Sequence, residues 1–208
     1  MELSRTGHRL KDASQAVIWL TPVGGTPSES PRQQQIPKLI QKDKAFHPPL
    51  LVIPVGGKVE FPNHDPFFHN VFSLFEGKRF DLGLYEAGST RDVHFDKPGI
   101  SYIFCNIHPE MSAVVVALET PYYGISDLRG QVVIAGVPSG KYVLRVWHES
   151  ALPETLKAMT REVTISATSS TLGVLRIAES NLPSGHKNLY GLEYDSSAPD
   201  NPVYDQPY

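Results

Sequence analysis

Tyr102-Ile-Phe-Cys105-Asn-Ile-His108-Pro-Glu-Met111-Ser-Ala-Val-Val-Val116 is the stretch on which the fold turns. The residues leading to Cys105 and the Ala and Val run after Ser112 each carry the composition of a strand, with a short turn between them. Cys105, His108 and Met111 therefore share one tight turn, spaced Cys-x2-His-x2-Met. Such a turn can aim all three side chains at one ion, which neither a strand nor a helix allows at this spacing. Outward from it, 18 prolines and 16 glycines punctuate short runs rich in Val, Ile, Phe, Tyr and Leu, an all-β signature. Strands are expected at 16–20, 50–54, 58–61, 69–73, 91–95, 99–104, 112–118, 131–135, 141–148, 161–165 and 172–177. Residues 153–159 could form a turn or two of helix.

Cys105 is the single cysteine, so no internal disulfide and no Cys-x-x-Cys site exists. Soft sulfur with imidazole selects copper over calcium, magnesium or manganese, and two histidines, a cysteine and a weak axial methionine make the blue-copper set. That set requires a second histidine from elsewhere. His69 supplies it, in Asn63-His64-Asp65-Pro66-Phe67-Phe68-His69-Asn70 just after the strand at 58–61. The short amide of Asn70 is expected to hydrogen-bond across to the Cys105 loop. His47, His64, His94 and His148 read as turn, surface or strand-end residues. Phe67 and Phe68 are either core or, with Pro66 and Pro109, an apolar collar through which the edge of His108 meets a partner. Glu110 leaves a carboxylate axial ligand open.

These elements resemble a known family. Gly57-Lys-Val59-Glu-Phe61-Pro-Asn63, then His69-Asn70-Val71, then Phe95-Asp-Lys-Pro98-Gly99, then the Cys105 turn, stand in the order seen in the plastocyanin and amicyanin branch of the cupredoxins. The resemblance implies that His69, Cys105, His108 and Met111 bind one type 1 copper per chain and that Asn70 braces the site. It also implies one-electron transfer to redox protein partners and a periplasmic or otherwise exported location. A fainter resemblance, over Tyr122 to His148, is to the carboxypeptidase regulatory-like, transthyretin-like β-sandwich.

The fold class expected is therefore all-β, a cupredoxin Greek-key sandwich at 41–118 inserted into a transthyretin-like sandwich made of 1–40 and 119–180. A linker is expected at 22–37, and an extended tail rich in Tyr and Pro at 181–208. The copper segment is short for a complete sandwich, so a strand is either missing or supplied by 16–20.

Several classes fall away. A net charge of -3 without a long Lys/Arg run argues against nucleic acid or an anionic membrane as partner. The longest apolar run, 113–118, is too short to span a bilayer. The first five residues lack the apolar stretch of a signal peptide, which a mature chain would have lost. No His-x-His cluster for catalytic copper occurs, so an electron carrier is expected and not an enzyme. Two alternatives remain open: copper storage, delivery or sensing, and an assembly module whose tail, with Tyr190, Tyr194, Tyr204 and Tyr208, drives homo-oligomerisation.

Overall fold

The structure is a computed structural model that describes residues 2–5, 8–9, 13–24, 35–74, 76–168, 170–178 and 188–192. Its chain divides into two compact units, residues 1–30 with 120–183, and residues 31–119 with 184–208. The first unit begins with β1 (Glu2–Arg5), β2 (His8–Arg9) and β3 (Val17–Pro22). Then β4 (Ile40–Lys42), β5 (Ala45–His47), β6 (Leu50–Pro54), β7 (Gly57–Pro62), β8 (His69–Ser73), β9 (Phe80–Tyr85), β10 (Thr90–Phe95), β11 (Gly99–Cys105) and β12 (Ser112–Leu118) form the other unit. The first resumes with β13 (Tyr123–Ile125), β14 (Gly140–Trp147), α1 (Pro153–Met159), β15 (Arg161–Ile165) and β16 (Arg176–Ala178). Among the described residues the fold is all-β apart from that one short helix.

In the unit of residues 31–119, a five-stranded sheet runs β6-β12-β11-β8-β9, and β7 pairs with β10 in a separate ladder. Strand periodicity decides what each layer buries. Ser101, Ile103 and Cys105 of β11 point inward while Tyr102 and Phe104 between them are only partly covered. Val59 and Phe61 of β7 and Val93 and Phe95 of β10 pack against them in one apolar core. Cys105 lies in this core because it continues the inward register of β11. The β4–β5 hairpin runs beside β7, with bridges Lys38 to Glu60 and Gln41 to Asn63. Gly77 closes a loop onto β11: its φ is +62°, and a Cβ there would stand 2.5 Å from Ser101 Oγ.

The unit of residues 1–30 and 120–183 has a four-stranded sheet β13-β3-β14-β15 and a smaller one, β16-β1-β2. Tyr142, Leu144 and Val146 alternate inward along β14 and join Ile18, Leu20, Leu175 and Ile177 in a second core. Both tryptophans belong to this unit, Trp19 on β3 and Trp147 on β14.

Several expectations are corrected. The 16–20 strand does not complete the copper segment; as β3 it pairs with β13 and β14. Residues 131–135 form no strand, although Val132 and Ile134 pack against the core as alternation predicts. Asp127 Oδ1 accepts the N–H groups of Arg129 and Gln131, and this tight turn leads the segment over the core without a ladder partner. The 172–177 strand shrinks to β16, because Gly173, with a φ of +77°, takes the chain out of the extended conformation. Sequence patterning missed β1, β2, β4, β5, β9 and β13. In β9 the cause is Gly83, with a φ of +68°, opposite the irregularity between Asn70 and Phe72. Residues 25–34 of the expected linker lie outside the described residues, while at its two ends Val23 N–H donates to Lys141 O and Glu60 N–H to Pro37 O. Of the expected tail, 181–187 and 193–208, with Tyr194, Tyr204 and Tyr208, lie outside the described residues. Residues 188–192 form a turn whose Leu189 N–H donates to Asn106 Oδ1 at 2.8 Å, and whose Tyr190 is exposed.

Candidate metal centre

Two strand ends bring the donors together. His69 opens β8, Cys105 closes β11, and Cys105 is paired with Val71 across the ladder. The chain then turns sharply: Met111 N–H donates to His108 O at 3.1 Å and Cys105 N–H to Met111 O at 3.3 Å. Asn106 N–H donates to Asn70 O at 3.0 Å, tying this turn to β8.

Three donor atoms converge. Cys105 Sγ lies 3.6 Å from His69 Nδ1 and 3.6 Å from His108 Nδ1, and the two Nδ1 atoms are 3.2 Å apart. The point equidistant from all three is about 2.0 Å from each, the length of a bond from a transition metal to imidazole nitrogen. Among the described residues this is the one group of three or more Cys, His or acidic side chains so disposed. His69 and Cys105 are fully buried and His108 is 6% exposed. Met111 is also fully buried, whereas Glu110 is at the surface. The donor chemistry, one thiol and two imidazoles with a thioether on the same turn, suits a soft or borderline ion and not calcium or magnesium.

Hydrogen bonds orient the imidazole of His69. Its Nε2 lies 2.8 Å from Asp65 Oδ2. The Asp65 carboxylate also accepts the N–H of Asp43 at 2.6 Å and of Lys44 at 3.1 Å. Asn63 holds the loop from beneath: its Nδ2 donates to Phe67 O at 2.7 Å, and its Oδ1 accepts Asp65 N–H at 3.0 Å. Gln41 Nε2 reaches both Phe61 O and the hydroxyl of buried Tyr85. Sequence reading gave Asp65, Asn63, Gln41 and Tyr85 no role in the site. The signal that could have found Asp65 is its position one carboxylate and four residues before a proposed ligand.

Asn70 sits beside the centre, but its amide turns away from the Cys105 loop: Nδ2 donates to Asp81 Oδ1 at 2.9 Å, and Oδ1 is buried without a hydrogen-bond partner among the described residues. The tie to the Cys105–Met111 turn runs through the Asn70 main chain. Phe67 covers both imidazoles, its ring centroid 5.4 Å from that of His69 and 5.5 Å from that of His108. Lys44 Nζ lies 5.5 Å from the same ring. Phe68 is half-buried, and Pro66 and Pro109 are exposed. His47, His64 and His94 are exposed and take no part in the cluster, and His148 Nδ1 lies 2.9 Å from Ser150 Oγ.

Burial dominates the titration of the cluster. It pushes the Cys105 thiol up, against backbone N–H groups of Asn70, Ile107 and His108 that favour the thiolate. It pushes His69 down, against the bond to Asp65. Burial also acts to raise Asp65, but the bonds from His69, Lys44 and Asp43 together outweigh it and hold the carboxyl below its ordinary range. The folded chain thus favours neutral His69, while the unfolded chain takes up a proton as pH falls through 6.5. Metal-free protein should therefore lose stability progressively as pH falls below that value, until the lower folded value is passed. Asp65 adds a loss of the same sign below 3.8. Urea midpoints of this unit at pH 8, 6 and 5, read from near-ultraviolet dichroism of Phe, which occurs only between 46 and 104, check the trend; a flat profile contradicts it.

An all-β chain with a buried thiol-imidazole pocket joining two strand ends is what comparison with known proteins has to place. No protein-family model matches it, and no curated protein does. Among solved structures it is similar to a purple cupredoxin from Nitrosopumilus maritimus, with 24% identity over 39% of this chain and 99% of that one and a TM-score of 0.36. It is also similar to amicyanin from Paracoccus versutus, with 19% identity over 49% of this chain and 97% of that one and a TM-score of 0.37. A copper-containing nitrite reductase from Thermus scotoductus matches at 24% identity and a TM-score of 0.39, over 56% of this chain and 28% of the reductase. The donor set of this chain stands independently of those likenesses.

Proposed function

We propose that the chain is a type 1 copper protein that carries single electrons between redox partners, with one copper held by His69, Cys105, His108 and Met111. The observation that carries this reading is the convergence of Cys105 Sγ and two imidazole Nδ1 atoms, 3.2 to 3.6 Å apart, in a buried pocket. Copper bound there supplies a one-electron couple with an intense thiolate-to-metal absorption. The residues do the rest. Neutral His69 offers a lone pair already oriented by Asp65, and three backbone N–H groups support the Cys105 thiolate. The β8–β11 ladder fixes both ligand-bearing strands, so little needs to rearrange as charge changes. His108, only 6% exposed, and the Phe67 ring against it cover the centre. With Pro66, Phe68 and Pro109 they make the surface on which a redox protein docks. The unit of residues 31–119 is then a cupredoxin domain set into a loop of a second sandwich of transthyretin-like kind, and the protein works as a carrier in the periplasm or another exported setting.

The optical and paramagnetic-resonance spectra of copper-loaded protein test the reading. An intense visible band, bleached by reduction, and a narrow copper hyperfine splitting are expected. Met111→Leu should keep the band and raise the reduction potential. Colourless Cu(II)-loaded protein with an unmodified Cys105 thiol would sink the proposal.

A further inference from the structure

The β4–β5 hairpin contributes no side chain to the donor set, yet its turn is built around one of the ligands. Asp43 and Lys44 both have a φ of +55°, a left-handed conformation that a two-residue hairpin turn normally assigns to Asn and Gly. Asp, like Asn, suits the first of these positions, but Lys44 stands where Gly is favoured. What the conformation achieves is visible in the contacts: two successive backbone N–H groups, of Asp43 at 2.6 Å and Lys44 at 3.1 Å, grip the Asp65 carboxylate. The other side of that carboxylate meets His69 Nε2 at 2.8 Å. Asp65 is 4% exposed and His69 fully buried, so no water competes for the contact.

An ionised carboxylate only accepts hydrogen bonds, so the proton between the two residues must sit on Nε2. A neutral imidazole has a single N–H, which leaves its Nδ1 as an unshared pair. Nδ1 is the atom that faces Cys105 Sγ and His108 Nδ1. We propose that Asp65, gripped by the Asp43–Lys44 turn, is the positioning residue of this centre, locking His69 as the Nε2–H tautomer with Nδ1 aimed at the metal. Its negative charge beside the ligand also favours the more highly charged oxidation state and so holds the reduction potential down. Lys44 extends the device, since its ammonium lies over the Phe67 ring that covers both imidazoles. One hairpin turn thereby fixes the orienting carboxylate and the cover together.

The redox part of this inference rests on the copper reading, while the tautomer part does not. The test therefore uses full-length protein in both metal-free and copper-loaded forms. Long-range proton–nitrogen correlation spectra of metal-free protein labelled at histidine nitrogen, at pH 8, should show His69 wholly as the Nε2–H tautomer. Asp65→Ala should convert it to a mixture, and Asp65→Asn keeps the shape should the alanine variant fail to fold. Copper affinity of Asp65→Ala should fall about 10- to 100-fold, and the reduction potential of both variants should rise. His64→Ala, at an exposed side chain outside the cluster, should leave tautomer and potential as they are. His69 found as the Nδ1–H tautomer in the parent protein would overturn the proposal. So would a blue parent protein whose Asp65 variants keep its tautomer and potential. A parent protein that binds no copper but shows the locked tautomer would refute the copper reading and leave the positioning role supported.

Discussion

Cys105→Ser is expected to abolish the visible absorption of the copper-loaded protein altogether. The band requires a thiolate, and a serine hydroxyl is neither soft nor ionised at neutral pH. The fold should survive the change. Cys105 is fully buried and close in size to serine, and the backbone N–H groups of Asn70, Ile107 and His108 aim at its sulfur and would meet the new oxygen. The cost to metal-free stability should thus stay near 1 kcal/mol. Two measurements on one variant separate the outcomes: the spectrum after copper loading, and the urea midpoint without metal. A persisting intense band would mean that the absorbing ligand is some other group. A collapse of the metal-free fold would mean that the thiol holds the core and not an ion.

The second large effect is expected at Asn63, which touches no donor atom. Its fully buried amide satisfies Phe67 O with Nδ2 and Asp65 N–H with Oδ1, bridging the loop that leads into His69. Asn63→Ala strands the buried Asp65 N–H and the partly buried Phe67 O at once, at about 1 to 3 kcal/mol for the first and less for the second, so a loss of about 3 kcal/mol is expected. Copper binding should weaken with it, because Asp65 and Phe67 both lose their anchor. His64→Ala, at the exposed neighbour, should shift stability by less than about 0.5 kcal/mol. Hydrogen exchange at amides of β7 and β8 reads the right unit, whereas tryptophan fluorescence does not, since Trp19 and Trp147 lie in the other one. Equal midpoints for Asn63→Ala and the parent would contradict this account of the loop.

Legibility of the site followed distance along the chain. Cys105 and His108 were readable as a pair because three peptide bonds and a turn bring their side chains to one place. His69 was readable because the set lacked one imidazole. Asp65 was hidden because its role depends on Asp43 and Lys44, more than twenty residues earlier, both adopting a left-handed conformation that Lys44 does not favour. Asn70 misled for a related reason: an amide beside a ligand has several partners in reach, and only the packed structure shows that Asp81 takes it. In the fold, alternation revealed which side chains of 131–135 face inward but not whether a neighbouring strand would be there to pair. Gly83 and Gly173 had the opposite effect, since the left-handed backbone they supply is invisible in hydrophobic patterning.

His69 and Cys105 stand 36 residues apart in sequence and on different strands. On the copper reading, the ion is a removable cross-link that closes a long loop of the polypeptide. By the loop-entropy relation for cross-linked chains, such a closure withdraws freedom from the unfolded ensemble worth on the order of 3 to 4 kcal/mol. A chain with one cysteine, barred from any internal disulfide, would then gain the mechanical equivalent of one from its redox centre, and chelation would work as its reductant.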